Sequence, residues 1–60
     1  MALSEQELNS IETRLGDELT LIRKYKLYSL ICADQQLKVK LEQMAAQHQS
    51  HYQKLLSKLN

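Results

Sequence analysis

From Leu8 onward, apolar residues recur at helical intervals: Leu8, Ile11, Leu15, Ile22, Tyr25 and finally Cys32. This spacing gathers them on one face of an α-helix. Ser4 followed by Glu7 forms an S-x-x-E capping box just ahead of the run. Glu5, Glu7 and Glu12 suit the positive end of the helix dipole. Gly16 is the one weak interior position, costing about 1 kcal/mol against alanine. The run ends at "CADQQ", where the Asp34 carboxylate can cap a following helix. A second run continues through Leu37, Leu41, Met44, Leu55 and Leu59, with Lys54 and Lys58 suited to a helix C-terminus. The pattern predicts one domain over residues 1–60: a helix over 4–32, a turn at 33–34 and a helix over 35–59. So short a turn makes the helices antiparallel neighbours.

Composition agrees: among 60 residues there is no proline and a single glycine. The aromatic residues are three tyrosines, so Leu, Ile, Met and Ala must build the core. Beside the helix-one seam lie Leu19, Leu21, Leu27, Tyr28, Leu30 and Ile31, more apolar surface than a hairpin can hide. Large exposed patches mark interaction surfaces. The expected fold is therefore an all-α antiparallel two-helix hairpin that dimerises with two-fold symmetry into a four-helix bundle. Roughly 120 residues then share one core, a comfortable size for a domain. Docking onto an unrelated helical partner is the competing arrangement.

The formal net charge of +1 gives no reason to expect a nucleic-acid or anionic-membrane partner. Apolar stretches such as "LYSLICA" are too short to span a bilayer, and "MALSEQELNS" lacks the regions of a signal peptide. Cytoplasmic synthesis is expected. The lone Cys32 excludes an internal disulfide and reads as a small apolar residue. With no Ser-His-Asp order, phosphate-binding glycine loop or CxxC, hydrolase and nucleotide chemistry have no support, and no catalytic residue is assigned.

Polar residues interrupt both seams. In a heptad frame, helix one reads Leu8, Ile11, Leu15, Glu18, Ile22, Tyr25, Ser29, Cys32, and helix two reads Leu37, Leu41, Met44, His48, His51, Leu55. In a hairpin turning at 33–34, the numbers of facing residues sum to about 67. Glu18 then faces the interval between His48 and His51, and a two-fold axis could add a second copy of the layer. Imidazole and carboxylate are ligands for Zn²⁺, Fe²⁺ or Mn²⁺, and His48 and His51 at i, i+3 suit chelation from one helix. The same groups could instead form a hydrogen-bonded lock on register, or a pH-sensitive switch. Tyr25 could offer its hydroxyl to the cluster or carry it to the bundle surface. Glu42 falls off the seam and is expected in solvent.

The stretch "DELTLIRKYKLYSLICADQQLKVKLEQMAAQHQSHYQKLLSKL" resembles small bacterial spore-coat proteins of the Coat F type. The shared features are an acidic residue and "KY" in helix one, a short Asp-containing turn and "HQxHYxxLxxxL" in helix two. The likeness covers nearly the whole chain. It implies a ferritin-like bundle, an origin in a spore-forming bacterium, a place in the spore coat and other coat proteins as partners. Ferritin-like di-metal bundles use a Glu from one helix and Glu-x-x-His from the next. Glu18 corresponds to the first Glu, and His48 or His51 to the histidine. The second carboxylate is missing, since Ala45 precedes His48 by three and His48 precedes His51 by three. Fewer carboxylates balance less metal charge, so a zinc-type or single-metal site, or no metal at all, fits better than an oxidative di-iron centre.

Overall fold

A computed structural model describes residues 2–60, so the domain expected over 1–60 is seen from its second residue. The chain forms helix α1, Glu5–Ile31, and helix α2, Gln35–Ser57, packed as an antiparallel hairpin. The hairpin is a rod of 47 × 14 × 11 Å, with no strand among the described residues. Neither helix is long and apolar enough to cross a membrane.

Each helix begins where a side chain can satisfy its free amides. The Ser4 hydroxyl accepts from the Glu7 N–H at 3.0 Å, and the Glu7 carboxylate accepts from the Ser4 N–H at 3.0 Å. At α2, the Asp34 carboxylate accepts from the Leu37 N–H at 2.9 Å. The helices are slightly shorter than the apolar pattern suggests. Ser4 and Cys32 are caps with extended backbone, so the non-helical link covers Cys32 to Asp34. At the far end α2 stops at Ser57, leaving Leu59 in a final turn. Apolar periodicity cannot distinguish a cap from a helical residue.

Ile11, Ile22, Ala45 and Leu55 form the core, with Ser29 buried beside them. The Ser29 hydroxyl donates to the Lys26 carbonyl at 2.8 Å, so its burial leaves no hydrogen bond unmade. Helix two corrects the expected seam. Ala45 is buried and Met44 exposed, and Tyr52 is half-buried where His51 is exposed. The inward row is Leu41, Ala45, His48, Tyr52, Leu55, while Leu37, Met44 and His51 lie on its flank. The reason is steric: Ala45 lets the helix backbones approach, while long Met44 fits the edge. A pattern read by hydrophobicity prefers Met and places the row one residue early.

This core is small. Leu55, the most buried large side chain, remains 4% exposed, whereas Leu30 and Ile31 are 75% and 73% exposed. Each large side chain contributes about 1.5–3 kcal/mol only when fully buried.

Candidate metal centre

The antiparallel register brings the midpoint of α1 against the second half of α2. Glu18 lies one turn before Ile22 and two turns before Tyr25 on the inner face of α1. His48 belongs to the inward row of α2, and His51 stands one turn further on its flank. One ligand atom from each of Glu18, His48 and His51 lies within 4.8 Å of the others. The three candidate residues therefore meet, although 30 or more positions separate Glu18 from either histidine in the chain.

Both imidazoles present Nδ1 to the carboxylate. His48 Nδ1 lies 3.4 Å from both Oε1 and Oε2 of Glu18, and His51 Nδ1 lies 3.2 Å from Oε2. As a hydrogen bond the His48 contact is loose, because N–H···O distances normally fall at about 2.7–3.2 Å. It is also split between two oxygens, and one N–H cannot point straight at both. Ligands about 2.05 Å from a tetrahedral ion are separated from one another by roughly 3.3 Å. The two histidine–carboxylate distances come close to that separation, while the three ligand atoms together lie within 4.8 Å, so closing on an ion would draw the set inward.

Burial is graded across the cluster. The side chains of Glu18, His48 and His51 are 16%, 22% and 46% exposed. The carboxylate is held between the helices, while the His51 side opens to solvent and leaves room for a further ligand. Two imidazoles and one carboxylate with an open side form a donor set used by zinc and by ferrous iron.

Tyr25 has a role that the sequence does not reveal. Its ring stacks on His48, with centroids 5.7 Å apart and planes 7° from parallel. The His51 ring stands edge-on to His48, 5.6 Å away at 84°. The face of the tyrosine ring, rather than its hydroxyl, thus meets the cluster. The available signal was its position seven residues from Glu18, which shares a face but does not specify ring or hydroxyl. Glu42 is exposed and stands apart from the cluster, as expected. Cys32 is half-buried, and its Sγ reaches only the Asp34 carbonyl at 3.5 Å.

Beyond His51, Arg14, Lys54 and Lys58 join it and Leu55 around a cleft of about 260 Å³. Spacing along either helix alone does not reveal this cationic flank. Lys54 and Lys58 fall three and seven residues after His51, but only the hairpin brings Arg14 across to them. No protein-family model, curated protein or solved structure matches the chain.

Proposed function

We propose that this protein is a small assembly module that pairs with a second copy as a four-helix bundle and holds one divalent ion on Glu18, His48 and His51. The metal assignment is carried by the convergence of three ligands from two helices, one carboxylate and two imidazoles, with each imidazole Nδ1 3.2–3.4 Å from the carboxylate. Each residue has one role: Glu18 supplies the negative charge, His48 a sheltered nitrogen and His51 a nitrogen at the open side. Zinc fits the donor set best, with ferrous iron and Mn²⁺ as competitors. One carboxylate is poor compensation for two metal charges, which disfavours an oxidase.

Self-association is supported by the small core and by the exposure of Leu27, Leu30 and Ile31. The likeness to Coat F type proteins supports a structural role in a spore coat, among other coat proteins. The test is elemental analysis of natively purified protein together with its mass in solution. Near-stoichiometric metal in a dimer is expected. Metal-free protein whose stability is unchanged by chelation would refute the ion, and a fully helical monomer at micromolar concentration would refute the bundle.

A further inference from the structure

We infer that the two copies pair with their turns at opposite ends, through the groove lined by Lys26, Leu30, Glu42 and Ala46. This deepens the self-association proposed above and rests on it. Three observations point the same way: a groove, a stripe and a charge asymmetry.

The groove lies between the helices, encloses about 310 Å³ and is floored by the small buried residues Ser29 and Ala45. At about 100° per residue, the flank of α1 beside it carries Leu8, Glu12, Leu19, Lys26 and Leu30. The matching flank of α2 carries Val39, Glu42, Ala46, Gln49 and Leu56. Leu30 and Val39 are exposed near the turn, and Leu8 and Leu56 near the other end, at 75%, 43%, 37% and 43%. Apolar side chains therefore stand at both ends of this one flank. On the opposite flank, exposed Tyr28, Leu37 and Met44 cluster toward the turn, and the far half is the cationic cleft of Arg14, Lys54 and Lys58.

Stacking two hairpins face to face by a two-fold axis allows two arrangements. With the axis along the helices, both turns lie at one end and α1 covers α2 of the second copy. With the axis across them, the turns lie at opposite ends and α1 covers α1. The charge distribution along the rod favours the second. The turn-side half holds Arg23, Lys24, Lys26, Lys38 and Lys40 against Asp34 and Glu42. The other half holds Glu5, Glu7, Glu12, Asp17 and Glu18 against Arg14, Lys54 and Lys58. Turns at one end would press two net-positive halves together and two net-negative halves together. Turns at opposite ends set each positive half on a negative one, and like-charge contacts are the costlier error.

The same crossing pairs the stripe with itself. When α1 covers α1 antiparallel and centred on Leu19, Leu30 meets Leu8 of the second copy, and Lys26 meets its Glu12. Neither Lys26 nor Glu12 has an oppositely charged group within salt-bridge distance among the described residues. The His51 side of each metal centre stays uncovered, giving two separate single-ion sites at one level of the rod.

The only cysteine supplies the test. A spin label on Cys32 should give a pair distance of about 40 Å, close to the length of the 27-residue α1. A distance under about 20 Å, half that length, would overturn the orientation while leaving the dimer intact. Because Cys32 is half-buried, the measurement is repeated with Ala33→Cys in a Cys32→Ser background. Lys26→Glu should weaken the dimer on the order of tenfold, and adding Glu12→Lys should restore it. Failure of Glu12→Lys to restore the dimer would overturn the inference. A monomer by sedimentation would overturn both this orientation and the self-association beneath it.

Discussion

His48 lies flat against Tyr25, ring centroids 5.7 Å apart and planes 7° from parallel. Its Nδ1 is 3.4 Å from each carboxylate oxygen of Glu18. One side chain from α1 thus sets the plane of the imidazole, and another from α1 receives its nitrogen. The histidine cannot swing away without losing the stack.

Tyr25 is therefore expected to act through its ring. Tyr25→Phe should leave thermal stability and zinc affinity close to those of the parent. Tyr25→Ala removes a stack of about 0.5–1.5 kcal/mol beyond its area burial, and should lower the melting temperature and weaken zinc. Equal effects of both variants would instead assign the role to the hydroxyl.

Removing a direct ligand should cost more than removing its support. Glu18→Gln and His48→Ala are each expected to weaken zinc by more than the roughly 10–100-fold lost with a supporting group. Competition titration against a chromophoric chelator measures this. Because the ligands must be deprotonated, affinity should fall and proton release on binding should rise as the solution is acidified.

Gly16 lies in the middle of α1, and an added methyl would meet nothing within 4 Å. Gly16→Ala should stabilise the hairpin by about 1 kcal/mol, read from urea denaturation. A loss of stability would mean that this surface is covered in the assembled protein.

Asp34 opens α2 by accepting from Leu37, and no other side chain is seen to take that amide. Asp34→Ala should cost about 1 kcal/mol, whereas Asp34→Ser should restore most of it. Circular dichroism during chemical unfolding separates these outcomes.

Glu7 is expected to add an acid-dependent step to the start of the first helix. Hydrogen bonds from the Ser4 backbone and then the Ser4 side chain hold its carboxyl below the usual value. A depressed folded-state value favours the charged form. Its contribution is complete above the ordinary glutamate range and disappears as pH falls through the lowered value. An NMR titration of the Ser4 and Glu7 amides should show that step. In Glu7→Gln the hydrogen bond can remain but this titration should vanish.

The local pattern carried much of the fold. Ser4 with Glu7, and Asp34 before Leu37, mark helix starts because capping is a contact between near neighbours in the chain. Two long apolar rows joined by a short link leave few alternatives to an antiparallel hairpin. That hairpin register then brings Glu18 to His48 and His51, since reversal at the turn determines which numbers face each other.

The tertiary structure decided what periodicity leaves degenerate. Positions three and four apart both keep a helical face, so only packing chose Ala45 over Met44 and Tyr52 over His51 for the inner row. Small Ala45 permits close approach of the helices, while Met44 and His51 are displaced to a flank that remains solvated. The stacking of Tyr25 on His48 and the approach of Arg14 to Lys54 and Lys58 depend on rotamers and on interhelical distance. Neither is encoded in spacing along one helix. By itself the sequence determined the helices, their caps and the level at which Glu18 meets the histidines. Only three-dimensional packing determined which imidazole is sheltered and which is open, because burial depends on the partner helix as well as on the residue.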